Sequence, residues 1–247
     1  MSVSALLLAV RVASLNLCTD EYLLLLARPQ EIASVSYLSK DRLESPLWRA
    51  AAPVPANYGG VEQVLKHRPT LLLTMGGGGR ASALIARRLK MRTLDVPPPA
   101  NVEDVATNLT RVATAIGDPA RAAPWVRRLR ALQAAEPRSS RDAIFLGGGG
   151  RSLQEGSPAI SWLRLAGLRQ RLLPGGRATL ETLLTRPPAV LVQSNYRSGQ
   201  VSAGAAWVKH PIVRKLRAVR LTADGRVWTC LGPLMIPEIE RLRRAAP

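Results

Sequence analysis

The sequence predicts an α/β protein of two lobes, each with a mostly parallel sheet flanked by helices, joined by a long helical backbone. Three observations support this prediction. Short apolar segments alternate with amphipathic ones along both halves of the 247-residue chain, a pattern typical of parallel sheets. Two similar phrases, LLLTMGGGGR ending at Arg80 and AIFLGGGGR ending at Arg151, indicate an internal repeat. Residues 99–136, between the halves, show helical spacing and no strand pattern.

The N-terminal half opens with a predicted βα unit. Residues 11–15 have strand character, and Thr19 or Asp20 can cap a helix that begins with the run EYLLLLA. Residues 70–74 are almost wholly apolar, as expected of a strand buried in a parallel sheet. Further strands are expected at 32–37 and 92–96, and helices at 61–66 and 81–91.

The helical backbone is predicted to consist of two helices. Apolar residues recur at spacings of three and four from Val102 to Ile116 and form one stripe on a long helix. Asp118 followed by Pro119 has the pattern of an N-cap with proline at the first helical position, which predicts a second helix. The C-terminal half then repeats the order of the first, with strands expected at 143–146 and 189–193 and helices at 161–168 and 180–185.

These patterns divide the chain into four segments. Residues 1–10 have a short apolar run with no basic residue before it, which we interpret as the remnant of a signal peptide. No apolar run approaches the roughly 20 residues that a membrane-spanning helix needs. The expected segments are the remnant at 1–10, an N-terminal α/β lobe at 11–98, a helical linker at 99–136 and a C-terminal α/β lobe at 137–247.

The charge balance is strongly basic, with 35 Lys and Arg against 17 Asp and Glu and a net charge of +18. Such a balance is common in nucleic-acid-binding proteins. The arginines are nevertheless spread along the chain, and a single Phe offers little for base stacking. We therefore expect no nucleic-acid partner and keep a basic nucleic-acid-binding protein as an alternative.

Groups for catalysis or metal binding are scarce. His67 and His210 have no second ligand at metal-binding spacing, and no GxSxG, HExxH or SxxK pattern occurs. Cys18 and Cys230 lack CxxC spacing, so each is expected to be a buried thiol or half of one disulfide. We therefore expect no enzyme, no metal and no cofactor.

The two glycine quartets, residues 76–79 and 147–150, follow predicted strands and each precedes an arginine. Ligands of parallel sheets bind beyond the carboxyl ends of the strands, so two facing loops that close on one ligand are one interpretation. Flexible turns are another. Neither loop has the spacing of a phosphate-binding fingerprint, and an enzyme that holds a phosphorylated substrate there stays an alternative.

Several phrases resemble a known family. RVASLNLCTDEYLLLLARPQEIASVSYLS, NYGGVEQVLKHRPTLLLT, LETLLTRPPAVLVQ and VWTCLGP are similar to the periplasmic substrate-binding proteins of ABC importers for ferric siderophores, haem and cobalamin. The resemblance covers residues 11–244. It implies a monomeric periplasmic receptor that captures a metal chelate or tetrapyrrole-like compound in a cleft between its lobes and delivers it to a permease and its ATPase.

The resemblance also implies roles for individual residues. Glu62 and Glu181, at matched places in the two halves, correspond to the acidic residues that dock onto the permease. Arginines in the expected walls favour an anionic ferric chelate over a near-neutral corrinoid, with haem left open. The residues expected to line the cleft are Asn16, Cys18, Tyr37, Tyr58 and Arg80 on the N-terminal wall, and Arg151, Ser152, Asn195, Tyr196, Trp228 and Cys230 on the C-terminal wall.

Overall fold

The computed structural model of the chain describes residues 10–77, 80–196, 206, 207 and 209–245. The chain divides into two compact units. Unit 1 comprises Met1–Pro98 and Thr107–Ala123, and unit 2 comprises Pro99–Ala106 and Pro124–Pro247. Each unit contains one sheet whose described strand pairs are all parallel, so the predicted α/β class with two parallel sheets is confirmed. The residues 1–9 of the expected signal remnant lie outside the described part.

Unit 1 has a five-stranded sheet in the order β3-β2-β1-β4-β5. The central strands are short and wholly buried because their side chains face helices on both sides. Four of the five strands match predicted segments, and the two-residue β3 was missed. The strands are β1 Val12–Ser14, β2 Ile32–Ser36, β3 Ala56–Asn57, β4 Leu71–Met75 and β5 Arg92–Val96, and the helices are α1 Leu17–Leu26, α2 Trp48–Ala51, α3 Val61–Leu65 and α4 Arg80–Arg88.

The predicted helical backbone appears as α5 Val102–Ala115 and α6 Ala123–Ala134. Its first helix buries the predicted apolar stripe, and the boundary between the units falls within it. Asp118 takes the predicted N-cap position, with Pro119 as the first residue of the turn that follows. A 3₁₀ turn, Pro119–Ala122, precedes α6, and the Asp118 side chain makes no cap hydrogen bond. Its carboxylate instead accepts a hydrogen bond from Arg121 Nε at 2.9 Å.

Arg121 fastens this turn to the first βα unit of unit 1. Its guanidinium donates to both carboxylate oxygens of Glu31, at 2.5 and 2.9 Å, and to the carbonyl oxygen of Leu26 at 3.2 Å. The two parallel bonds give the bidentate geometry that Arg and carboxylates favour. The Arg121 guanidinium accordingly holds the pKa of the Glu31 carboxyl below its usual range.

Unit 2 has a four-stranded sheet in the order β7-β6-β8-β9. Strand β7 occupies the end of the segment expected to be helical at 161–168, because that helix stops at Leu165 and a glycine at position 167, with a φ of +76°, turns the chain. The strands are β6 Arg141–Leu146, β7 Leu168–Gln170, β8 Val190–Asn195 and β9 Val219–Asp224, and the helices are α7 Ala159–Leu165, α8 Leu180–Thr185, α9 Pro211–Lys215, α10 Val227–Cys230 and α11 Met235–Ala245.

The second glycine quartet follows β6 and has a structural role at its last member. Gly150 has a φ of +75°, a region that side chains rarely adopt. A Cβ atom there would lie 2.7 Å from the carbonyl oxygen of Ala178 and 3.1 Å from the ring of Trp207. The close approach of the residue 150 backbone to the Ala178 carbonyl therefore requires glycine at this position.

We predict that Gly150→Ala destabilises the protein by more than the strain of a positive φ alone, which is about 1–3 kcal/mol. The added methyl group would also collide with the Ala178 carbonyl. Gly156→Ala is the matched control, because Gly156 has a φ of +77° and no atom lies within 4 Å of the place a Cβ would take. Urea unfolding should give a lower midpoint for Gly150→Ala than for Gly156→Ala, and equal midpoints would contradict the collision.

Candidate functional site

Two tyrosines meet at the carboxyl edge of the sheet in unit 1. Tyr37 follows β2 and Tyr58 follows β3, and these parallel strands are neighbours. Their rings stack with centroids 4.9 Å apart and planes inclined by 28°. Both side chains are exposed, Tyr37 by 47% and Tyr58 by 72%. The pair therefore presents a broad aromatic surface at the edge where parallel sheets bind ligands.

Buried hydrogen bonds hold the turn that carries Tyr37. Asp20, on α1, accepts from the backbone N–H of Ser36 at 3.0 Å and from the hydroxyls of Ser36 and Ser39, each at 2.6 Å. These three residues are buried. Because the serines lie on both sides of Tyr37 in the chain, the backbone of this tyrosine is fixed to helix α1.

A second buried residue holds Tyr58. The Asn57 amide donates to the carbonyl oxygen of Ser14 at 2.8 Å and to the hydroxyl of Ser34 at 3.0 Å. The side-chain oxygen of Asn57, Oδ1, accepts from the N–H of Gly59 at 3.0 Å, and the N–H of Tyr58 donates to Gln63 Oε1 at 2.7 Å. Asn57 thus links β1, β2 and β3 directly below the tyrosine pair.

Asn16 caps α1, so the caps predicted at Thr19 or Asp20 are wrong. The Asn16 side-chain oxygen accepts from the N–H of Thr19 at 3.0 Å, and α1 begins at Leu17. Thr19 instead shares a hydrogen bond with the hydroxyl of Ser14 at 2.7 Å. The side-chain oxygen of Asn16 is therefore engaged within the protein.

Sequence reasoning missed the buried position of Asp20. Burial raises the pKa of the Asp20 carboxyl to about 7, and hydrogen bonds from Ser36 and Ser39 oppose part of that rise. The sequence CTDE does not distinguish an aspartate that caps a helix from one whose side chain is buried. Three serines on the neighbouring strands and turn are the signal that could have indicated a buried acceptor.

The remaining predicted residues of unit 1 are less informative. Cys18 is the second residue of α1, and neither it nor Cys230 is a free thiol, which excludes a thiolate ligand or nucleophile at either position. Arg80 begins α4, but its side chain lies outside the described part of the chain, as do Gly78 and Gly79.

A recess of about 660 Å³ lies at the carboxyl ends of β6 and β7 in unit 2. Arg151 and Arg177 face each other there through an antiparallel bridge, and Arg177 donates to the carbonyl oxygen of Gly149 at 2.8 Å. The predicted residue Ser152 is also in the lining, with its hydroxyl accepting from Gln170 at 3.0 Å. The lining residues are Arg151, Ser152, Leu153, Gln154, Glu155, Gly156, Ser157, Gly175, Gly176 and Arg177.

A second recess of unit 2, of about 420 Å³, includes the predicted residue Asn195. It is basic, and no carboxylate is among its described lining residues. Tyr196 follows Asn195 and is 37% exposed. The lining residues are Gln193, Ser194, Asn195, Lys209, Arg214, Arg220 and Thr222.

Trp228 and Cys230 lie on α10 of unit 2. The Trp228 ring packs against Phe145 with centroids 4.7 Å apart, and its Nε1–H donates to Glu238 at 3.4 Å. Cys230 is buried. The structure therefore gives Trp228 packing partners of its own, and it does not place either residue in the two recesses described above.

Glu62 and Glu181 occupy equivalent places in their units. Each lies in the first turn of a helix that follows the carboxyl edge of the sheet, α3 for Glu62 and α8 for Glu181, and both side chains are exposed. Their surroundings fit carboxylates that are accessible to a partner protein.

Comparison with known proteins points to one fold. No protein-family model matches the chain, and no curated protein sequence matches it. Among solved structures, the periplasmic haem-binding protein HutB of Vibrio cholerae has a TM-score of 0.75 at 17% identity, with 97% of this chain and 100% of that chain covered. RhuT of Roseiflexus sp. RS-1 gives 0.72 at 17%, with 96% and 97% covered. A haem-binding protein of Pseudomonas aeruginosa gives 0.68 at 21%, with 95% and 91% covered.

These matches extend over nearly the whole chain. The protein therefore has the fold of periplasmic haem-binding proteins, as the sequence resemblance predicts. Within the described residues, no helix combines the length and apolar character needed to cross a membrane. The same part of the chain contains no group of three His, Cys, Asp or Glu side chains placed to hold a metal ion.

We predict that the Asp20 carboxyl makes folding less favourable as the pH rises. Its pKa is raised from 3.8 to about 7 by folding, so between these values the folded chain binds a proton that the unfolded chain has released. Stability therefore falls from about pH 4 to about pH 7. Asp20→Asn should flatten this fall in urea midpoints.

Asp41→Asn is the control, since Asp41 is exposed and its replacement should leave the pH profile unchanged. A profile for Asp20→Asn that runs parallel to the parent protein from pH 4 to pH 7 would show that this carboxyl does not titrate as described.

Proposed function

We propose that the protein is the periplasmic solute-binding component of an ABC importer and that its solute is haem or a closely similar flat, anionic tetrapyrrole. The observation that carries the proposal is the stacked, exposed pair Tyr37 and Tyr58 at the carboxyl edge of the sheet in unit 1. The fold, shared with haem-binding proteins of the periplasm, supports the same class of solute.

The chemistry of the tyrosine pair suits a macrocycle that contains ferric iron. An aromatic face buries a large apolar area of a flat ligand, and a tyrosine oxygen is one of the axial ligands that haem iron takes in proteins. The pair is also fixed in advance by the bonds of Asp20 and Asn57. Preorganisation of this kind lowers the entropy cost of binding.

The charge of unit 2 favours an anionic solute. Arg151 and Arg177 line the 660 Å³ recess together with a single carboxylate, Glu155. Arginine binds carboxylates through paired hydrogen bonds, which suits the acidic side chains of haem better than the amides of cobalamin. We propose that these arginines contact the acidic groups of the solute. Ferric siderophores and cobalamin, which the sequence resemblance also allows, are the alternative solutes.

Release of the solute requires a partner in the membrane. We propose that Glu62 and Glu181 dock onto basic groups of the permease, which works with an ATPase, and that the receptor acts as a monomer. Exposed charges of this kind guide association and orientation more than they add affinity.

The receptor is proposed to bind without transforming its solute. An enzyme that uses the glycine loops to hold a phosphorylated substrate is less well supported, because packing against Ala178 and Trp207 accounts for Gly150. Thermal stabilisation of the protein by nucleotides or sugar phosphates would support this enzyme function. A nucleic-acid-binding protein would instead show retention on DNA that falls steeply with salt.

We predict that haemin quenches the tryptophan fluorescence of the protein with an affinity that Tyr37→Ala and Tyr58→Ala each weaken by about tenfold or more. Leu84→Ala, at an exposed apolar residue of α4, should leave the affinity unchanged. Cobalamin and a ferric hydroxamate are titrated in parallel. Absence of haemin binding by the folded protein, or equal affinity in the tyrosine variants, would contradict the proposal.

We predict that the double variant Glu62→Lys and Glu181→Lys abolishes most permease-dependent uptake in proteoliposomes while haemin affinity stays at the parent value. Both carboxylates are exposed, so their reversal should repel the permease and leave the sheet edge unaltered. Asp41→Lys, which adds half as much positive charge, shows whether charge alone lowers uptake. Normal uptake by the double variant would exclude the docking role, and a loss of haemin affinity would place the carboxylates at the solute.

A further inference from the structure

Asp20 is a buried carboxyl that bonds both ends of the turn carrying Tyr37. We propose that Asp20 is a positioning residue for solute binding: its carboxyl sets the orientation of Tyr37, and gain or loss of its proton changes the affinity for the flat solute. This inference rests on the proposed function of the Tyr37 and Tyr58 pair.

The geometry concentrates the donors on one oxygen atom. Asp20 Oδ2 accepts from the N–H of Ser36 at 3.0 Å, from the Ser36 hydroxyl at 2.6 Å and from the Ser39 hydroxyl at 2.6 Å. Oδ1 lies 3.2 Å from the same N–H group. Tyr37 can change its backbone position only if these bonds lengthen, because its neighbours on both sides are tied to α1.

An ionised carboxyl can accept from all of these donors at once, whereas a neutral one requires one hydroxyl to accept instead of donate. A carboxylate only accepts hydrogen bonds, whereas a carboxylic acid must donate one. Both oxygens of Asp20 face donors from the turn, and the Ser36 N–H group belongs to the backbone and cannot rotate away. Arrival of a proton therefore forces a hydroxyl of Ser36 or Ser39 to turn, or the carboxyl to reorient towards Ser14.

The surroundings of Asp20 place the gain or loss of its proton near neutral pH. Burial raises the pKa of the Asp20 carboxyl to about 7, and no described Lys or Arg forms an ion pair with it. Strands β1, β2 and β4, which pack against α1, contain no charged residue. The turn contributes Tyr37 and Lys40, whose ammonium donates to the carbonyl oxygen of Val54 at 2.8 Å. Helix α1 itself contributes Glu21 and Tyr22.

The direction of the effect follows from the hydrogen bonds. The ionised form holds the turn with all of its bonds and keeps Tyr37 stacked on Tyr58, so the site is preorganised above pH 7. The neutral form loosens the turn, and the solute must then order it on binding. The receptor should therefore bind more tightly at pH 8 than at pH 6 and release its solute more readily in acid.

The test is a haemin titration by Soret absorbance from pH 5.5 to pH 8.5. The parent protein should tighten its dissociation constant by about tenfold across this range, and Asp20→Asn should be flat, near the acid value of the parent. Asp95→Asn is the matched control, because Asp95 lies at the same sheet edge and bonds Thr74 and Gly77 rather than the turn. An equal pH dependence in Asp20→Asn would overturn the inference.

A second readout separates this inference from the proposed function. The near-ultraviolet circular dichroism of the solute-free protein should change with a midpoint near pH 7, and Asp20→Asn or Tyr37→Phe should reduce that change. If haemin fails to bind at every pH but the dichroism changes as expected, the proposed solute is wrong and the positioning role stands. A dichroism signal that is constant with pH would overturn the role itself.

A milder variant covers the case in which Asp20→Asn does not fold. Ser39→Ala removes one of the two hydroxyl donors and leaves the carboxyl and the Ser36 bonds in place. It should weaken haemin binding at pH 8 and leave binding at pH 6 near the parent value, so its pH dependence shrinks. An unchanged pH dependence in this variant would likewise count against the role of Asp20.

Discussion

The carboxyl edge of the sheet in unit 1 depends on two buried polar side chains, Asp20 and Asn57. A buried polar group without partners would cost several kcal/mol, so each must be satisfied by neighbours on other elements. Asp20 finds them in Ser36 and Ser39, and Asn57 finds them in Ser14 and Ser34. These hydrogen bonds hold α1 and three strands in one arrangement and bring the two exposed tyrosines together at the sheet edge.

The same constraint explains how two aromatic rings come to be exposed together at this edge. Polar residues at this edge bond to each other, and the two aromatic rings stay exposed. In unit 2 the loops after β6 and β7 use glycine for close backbone contact, as at Gly150, and leave arginines at the recess. Flat aromatic surface and positive charge are the chemistry that a tetrapyrrole with acidic side chains requires.

Much of the fold could be predicted because its signals are local. The apolar run at 70–74 is the buried strand β4, and the stripe from Val102 to Ile116 is the buried face of α5. The edge strands β3, β7 and β9 were missed, and β3 and β7 are too short, at two and three residues, to carry a readable period. Asp118 takes the predicted N-cap position, but its carboxylate bonds Arg121, which the distant Glu31 also holds.

The site could be predicted in part for a similar reason. Tyr37 ends a predicted strand, so its place at the carboxyl edge could be read from the sequence. Tyr58 follows the missed strand β3, and its stacking on Tyr37 depends on β2 and β3 being neighbours. The inward turn of Asp20 depends on the cap at Asn16, one helical turn earlier. The packing of Trp228 could not be predicted, because its partners Phe145 and Glu238 come from other segments of the chain.

A crystal structure of the protein with bound haemin is the most direct test of this binding surface. We expect a macrocycle against the rings of Tyr37 and Tyr58, with a tyrosine oxygen or ring face as the nearest protein group on that side and the Asp20 bonds to Ser36 and Ser39 intact. Haemin bound elsewhere, with both tyrosine rings still open to solvent, would contradict the proposed role of the pair.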